Sequence, residues 1–138
     1  MNDLRSYVKL IVEPTLDDFE QNPRSIRHSY LAAACLFHCV DRAARMRGKK
    51  PAVIRQEWRR KSEAFARVDV MAHDFKHVQA THRMQLAPLV ARAPSLLGSF
   101  AFNTTALNDS GQTIALARLI TIFEQALDFI RRENGLSD

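Results

Sequence analysis

Apolar residues recur every three or four positions along most of the chain, which predicts amphipathic helices rather than strands. A first helix is predicted to begin after Asn2 or Asp3. It should end or kink at Pro14, because proline has no backbone N–H to donate. Its apolar positions are Leu4, Tyr7, Val8 and Ile11, and a second short piece continues with Leu16 and Phe19.

Two longer helices are predicted to follow. Asn22 as N-cap, Pro23 at the first helical position and Gly48 as C-terminal cap bound the second helix. Pro51 opens a third helix that should run to about residue 83. One stripe, polar only at its far end, follows this third helix through Ile54, Trp58, Phe65, Val68, Ala72, Phe75 and Gln79.

Residues 84–110 have a different pattern, because prolines, a glycine and a cluster of turn-forming residues interrupt any regular helix. The segment is nevertheless too apolar for a free loop. We expect a short helix near residues 86–92 and an irregular or briefly extended piece around residues 98–106, both packed on the helices.

The last helix is predicted to start near Ser110 or Gly111 and to end at Gly135. It carries two neighbouring apolar stripes, more than one helix contact needs. Either the helix lies centrally, or its outer stripe forms a homodimer surface, which is the interpretation we favour. The first stripe is Leu116, Ile120, Phe123, Leu127 and Ile130, and the second is Leu119, Ile122, Ala126 and Phe129.

These elements predict one all-α domain over residues 1–138, a four-helix bundle with an irregular insertion (about residues 84–110) before the last helix. The composition agrees: 46% of residues are hydrophobic, 25% are charged, and only four Gly and five Pro occur. No secretory signal and no apolar run of about 20 residues is found, so we expect a cytoplasmic protein without a membrane span. Cys35 and Cys39 are predicted to be reduced core residues.

The net charge of +5 is concentrated in one segment, residues 42–61. Nine Lys and Arg against the single acid Glu57 give this segment +8 and leave −3 for the rest of the chain. Such a corner could follow an RNA phosphate backbone. Alternatively, it is a solvated surface whose cations pair with Asp17, Asp18 and Glu20. The cations are Arg42, Arg45, Arg47, Lys49, Lys50, Arg55, Arg59, Arg60 and Lys61.

Histidines and cysteines offer two candidate metal sites, neither of which we favour. His73 and His77 lie one helical turn apart with Asp69 a turn earlier, and His38 with Asp41 could complete a set. Cys35, His38 and Cys39 cannot surround an ion from one straight helix, so core packing is favoured for them. The sequence contains no P-loop, dinucleotide-binding turn, nucleophile elbow or paired CxxC, and we expect no cofactor.

Arg67 and His73 form the one candidate catalytic pair. An arginine can stabilise charge that develops on a phosphate while a histidine moves the proton of a 2′-hydroxyl. A separation of six residues, however, places the two side chains on different faces of a continuous helix. Activity would therefore need a helix break or two subunits that pool their residues.

Residues 27–43, which read RHSYLAAACLFHCVDRA, resemble the second helix of HEPN-domain proteins, and residues 117–130 resemble the closing helix of that family. The resemblance implies a small helical bundle that often dimerises through its helices. Several members are metal-independent ribonucleases, whose Arg-x(4–6)-His motif Arg67 and His73 would match. Other members are inactive partners of nucleotidyltransferases. Active members usually carry a polar residue after the motif arginine, where this chain has Val68.

Three hypotheses follow for function. The first and favoured one is a non-catalytic, dimeric interaction module of HEPN-like type that binds a protein partner through the last helix or through residues 84–110. The second is a metal-independent ribonuclease or RNA-binding protein that uses Arg67 and His73 with the cationic segment. The third and most distant is a metal-binding bundle with Asp69, His73 and His77 as ligands.

Overall fold

The computed structural model describes residues 3–82 and 109–136, with side chains described for residues 3–74 and 117–136. Across these ranges the chain is an all-α bundle without strands, as predicted, and none of the helices described is long and apolar enough to cross a membrane. The predicted insertion lies outside the described residues. The elements are α1 (Leu4–Tyr7), a π-helical segment (Val8–Val12), α2 (Glu13–Gln21), α3 (Ile26–Phe37), α4 (Cys39–Arg47), α5 (Pro51–Lys61), α6 (Glu63–His82) and α7 (Asp109–Glu133).

The first helix does not end at Pro14, one of the two outcomes predicted there, but changes its winding just before the proline. Asp3 caps its start by accepting a 2.7 Å hydrogen bond from the Ser6 N–H. Just before the proline the helix widens into the π-helical segment, in which the Glu13 N–H donates to the Val8 carbonyl. This wider turn accommodates Pro14. The proline has no backbone N–H to donate, and its ring would clash with the preceding turn of a regular α-helix.

The predicted N-cap at Asn22 is wrong, because Asn22 instead closes α2. Its backbone N–H donates to the carbonyls of Asp18 and Phe19 at 3.1 and 3.0 Å. The cap of α3 is Ser25, whose hydroxyl accepts from the His28 N–H at 3.3 Å. Asn22 and Ser25 are both good capping residues, and the choice between them depends on where α2 stops.

Each of the two long predicted helices is divided in two. His38 separates α3 from α4, and Ser62 separates α5 from α6. The Ser62 hydroxyl caps α6 by accepting from the Phe65 N–H at 3.1 Å, so the serine supplies the start signal of a new helix. The predicted cap at Gly48 is confirmed: its φ is +63°, and the Lys49 N–H donates to the Ala44 carbonyl at 2.9 Å.

α7 lies centrally and packs against both α3 and α6. Four residues of its second stripe, which we assigned to a homodimer surface, are buried within this one chain: Leu119, Ile122, Ala126 and Phe129. The core around them is aromatic. Phe123 meets Phe19 edge-on at 5.1 Å between ring centroids, and Phe129 meets Trp58 edge-on at 5.8 Å. The burial favours the central position as the explanation of the two stripes, and homodimerisation itself stays a prediction.

Replacing Ile122 by aspartate should therefore damage the fold of the single chain. We expect the free energy of unfolding to fall by at least about 3 kcal/mol, because a carboxylate would enter an apolar core and an aliphatic side chain would be lost. Urea unfolding followed by circular dichroism measures this change. Gln125→Asp, at an exposed position of the same helix, should change it by less than about 1 kcal/mol. A stable Ile122→Asp monomer derived from a wild-type dimer would instead place Ile122 in a subunit interface.

Candidate functional site

The carboxylate of Asp69 on α6 is completely buried, and two arginines of α5 neutralise it. Arg55 donates from Nε to Oδ1 at 2.8 Å, and Arg59 places Nη1 at 3.1 Å from Oδ2. The second contact is an ion pair without hydrogen-bond alignment, and Oδ2 has no aligned donor within the described part of the chain. An ionised carboxylate removed from water needs such partners, so this cluster holds α5 against α6.

The local sequence places all three side chains on facing surfaces. Arg55 and Arg59 lie one helical turn apart on α5, next to Ile54 and Trp58, which are buried in the core. The break at Ser62 lets α6 pack back on α5. Residues far apart along one predicted helix thereby become neighbours.

His73 joins the cluster one turn beyond Asp69. Its Nδ1 lies 3.8 Å from Asp69 Oδ1, too far for a hydrogen bond but close enough for an ion pair when the imidazole is protonated. The edge of Phe37 meets the His73 ring at 5.9 Å between centroids, and the Arg55 guanidinium lies 6.0 Å from the Phe37 ring centroid. The site therefore combines two guanidinium groups, an imidazole and one aromatic wall.

The predicted catalytic pair is not brought together within the chain. Arg67 donates to Glu63 at 2.7 Å on the surface of α6, and that helix is continuous from Glu63 to His82. Six residues of a continuous helix leave the two side chains about 120° apart around its axis. His73 instead shares Asp69 with Arg55 and Arg59.

Many cations of residues 42–61 are bound within the bundle, although not to the acids that we predicted. Their partners are acids and rings of neighbouring elements rather than Asp17, Asp18 and Glu20. Arg42 lies 4.0 Å above the Tyr7 ring, Arg47 contacts Glu57 (3.7 Å) and Asn134 (2.9 Å), and Lys61 contacts Glu57 (3.0 Å) and Glu133 (2.6 Å). Trp58, at the cationic segment, is fully buried.

Four other cations of the segment are exposed and form no ion pair with any residue that the structure describes. They are Arg45, Lys49, Lys50 and Arg60. Lys49 and Lys50 belong to the turn between α4 and α5, Arg45 lies in the last turn of α4, and Arg60 lies near the end of α5. The charge that remains available to a partner is thus concentrated at this turn.

Neither candidate metal site forms among the side chains that the structure describes. No group of three His, Cys, Asp or Glu side chains is close enough to hold an ion within that part. The His77 side chain lies outside it, so the set Asp69, His73 and His77 stays a prediction. His38 pairs instead with Asp41 on the surface, at 3.1 Å.

Cys35 and Cys39 are free, buried core residues, as predicted. The Cys39 thiol donates to the Cys35 carbonyl at 3.6 Å. Burial raises the pKa of Cys35 to about 12 and raises the pKa of Cys39 as well. Both groups are therefore unreactive thiols rather than metal-binding thiolates at neutral pH.

Comparison of the chain with protein-family models, with curated proteins and with solved structures finds no match.

Asp69→Asn should lower the free energy of unfolding by about 3 kcal/mol, because it removes the charge that two adjacent arginines share in a buried position. The matched control is Glu63→Gln on the same helix, whose carboxylate is 79% exposed and pairs with Arg67. That variant should cost less than about 1 kcal/mol. Chemical denaturation measures both free energies of unfolding. Equal losses in the two variants would contradict the role of Asp69 in holding α5 against α6.

The cysteines give a prediction for pH dependence. In the folded chain at about pH 8 neither thiol should react with a thiol reagent, whereas both should react in urea, where the pKa is ordinary. Because their pKa is raised on folding, the unfolded chain ionises first. The free energy of unfolding should therefore decline between about pH 9 and 12, relative to a Cys35→Ala/Cys39→Ala variant. Rapid reaction of Cys35 or Cys39 with the thiol reagent in the folded chain would contradict the burial of the two thiols.

Proposed function

We propose that the protein is a non-catalytic interaction module, HEPN-like in type, that docks an acidic, partly apolar segment of a partner protein. The docking surface is the α4–α5 corner, which we define as residues 45–53. One observation carries the proposal. Every residue of this corner except Arg47 is exposed, and the corner presents cations beside large apolar side chains.

The corner is held rigidly, which favours binding because little conformational entropy is lost on docking. Gly48 adopts the left-handed conformation that closes α4, and the Lys49 N–H donates to the Ala44 carbonyl at 2.9 Å. Arg47 ties the corner to the end of the last helix through the Glu133 carbonyl at 3.1 Å and the Asn134 side chain at 2.9 Å.

The chemistry of the corner favours a protein partner over RNA. Met46 is 57% exposed and Val53 is 48% exposed, and they stand among Arg45, Lys49 and Lys50. Cations interspersed with apolar side chains suit an acidic segment that carries apolar residues of its own. Single-stranded RNA would favour an exposed aromatic side chain for stacking, and Trp58 is buried in the core.

The non-catalytic part of the proposal is supported by the continuous α6. Arg67 is paired with Glu63 and stands about 120° around the helix axis from His73. A metal-independent ribonuclease would require two subunits to pool these residues. A homodimer through the last helix stays a prediction. Among the side chains of this helix that the structure describes, the exposed ones are small or polar: Ala117, Arg118, Thr121, Glu124, Gln125, Asp128 and Arg132.

The proposal is tested by fluorescence anisotropy with two probes: a synthetic peptide that alternates acidic and apolar residues, and a short single-stranded RNA. We expect the peptide to bind more tightly. Lys49→Gln/Lys50→Gln should weaken peptide binding about fivefold through lost charge pairing. Met46→Ser/Val53→Ser should weaken it about tenfold through lost apolar contact.

The control is Arg60→Gln, which removes an exposed cation outside the corner and should leave peptide binding within about twofold. Tighter binding of the RNA, together with no effect of Met46→Ser/Val53→Ser, would overturn the proposal in favour of nucleic-acid binding.

A further inference from the structure

The cluster around Asp69 includes none of residues 45–53 and carries an excess of positive charge. Arg55 and Arg59 both adjoin one carboxylate, so the three groups together have a net charge of +1, and protonation of His73 would raise it to +2. An ion pair that only joined α5 to α6 would need one cation for the single carboxylate. The second arginine therefore leaves a positive site at the surface between α5 and α6.

Within the part of the chain that the structure describes, the hydrogen-bond donors of the two arginines are only partly used. A guanidinium group has five N–H donors, and Arg55 commits its Nε to Asp69 while Arg59 faces Oδ2 without alignment. The two side chains are 34% and 43% exposed, whereas Asp69 has no exposed surface. A ligand arriving from solvent therefore meets guanidinium donors before it meets the carboxylate.

The arrangement is also preorganised. Two arginines one turn apart repel each other on an isolated helix, but the buried carboxylate holds them side by side. The Phe37 ring, with the guanidinium group of Arg55 at 6.0 Å and His73 edge-on at 5.9 Å, supplies an apolar wall to the same site. Fixed guanidinium groups beside a low-dielectric surface bind anions more strongly than mobile surface cations do.

From this geometry we infer that Arg55, Arg59 and His73 bind the phosphate group of a small phosphomonoester, with Phe37 against its organic part. A phosphomonoester has three terminal oxygens and close to two negative charges at neutral pH, which matches two forked donors and an imidazole. A phosphodiester within a nucleic-acid backbone offers two unesterified oxygens and a single charge, and it therefore fits this site less well.

The inference is tested by NMR titration that follows the Nε–H signals of Arg55 and Arg59. The probes are inorganic phosphate, ribose 5-phosphate, a nucleoside 5′-monophosphate, the matching nucleoside, and a short RNA without terminal phosphate. We expect the three ligands with a terminal phosphate to bind and to shift both signals. The nucleoside and the RNA should bind at least about tenfold more weakly, because they lack the dianionic group.

Two neighbouring arginines provide a matched pair of variants. Arg59→Gln should weaken binding of the monophosphate about tenfold, because it removes a charge-assisted fork. Arg60→Gln removes the same charge at an exposed position that has no ion pair in the described part of the chain, and it should change binding by less than about twofold. Circular dichroism tests whether both variants are folded.

Arg59→Lys keeps the charge that neutralises Asp69. It therefore tests the two parallel hydrogen bonds of the guanidinium group even if Arg59→Gln fails to fold. This variant should bind the monophosphate more weakly than wild type, because an ammonium group cannot form two parallel hydrogen bonds to phosphate. Equal weakening by Arg59→Gln and Arg60→Gln would show diffuse attraction and overturn the inference. So would tighter binding of the RNA, or no shift of either signal.

Discussion

The packing of Trp58 determines how three helices of this bundle meet. The indole lies on α5, and its ring meets Phe65 of α6 at 5.2 Å and Phe129 of α7 at 5.8 Å, both edge-on. Burying so large a side chain between three helices fixes the rotation of α5 about its axis. Arg55 and Arg59, three residues before and one residue after the indole, are thereby carried to the side where α6 presents Asp69. The polar cluster at the surface thus follows from an apolar contact in the core.

The same arrangement links stability to the candidate binding site. Asp69 is tolerated inside the bundle only because the arginines neutralise it, and the arginines are held close together only because Asp69 is there. Other cations of residues 42–61 have a simpler structural role, as with Lys61, which joins Glu57 to Glu133 of the last helix. The cations of this one sequence segment therefore have three roles: some join helices within the bundle, two neutralise Asp69, and the rest are exposed.

The helical class, the cap at Gly48 and most core positions could be predicted from the sequence, because they depend on local periodicity and local backbone chemistry. The break at Ser62 could not. The apolar stripe passes from Trp58 to Phe65 with an interval of seven residues, which fits a continuous helix as well as two packed ones. The site was missed for the same reason. The sequence pattern places Asp69 beside histidines as a possible metal ligand, whereas its pairing with Arg55 exists only once α5 and α6 fold together.

The π-helical segment has a consequence for the geometry of the first helix. One turn of the helix here contains an extra residue, and with this wider turn the buried faces of α1 and α2 both point toward the core. If the same residues were wound as a regular α-helix, α1 would be rotated by about 100° relative to α2, and Tyr7 would leave the Cys35 carbonyl, to which its hydroxyl donates at 3.2 Å. Deleting one residue of the segment, such as the exposed Leu10, should instead restore a regular helix with both faces still directed at the core. In this helix the winding of the backbone, as much as the identity of its residues, determines which side chains reach the interior.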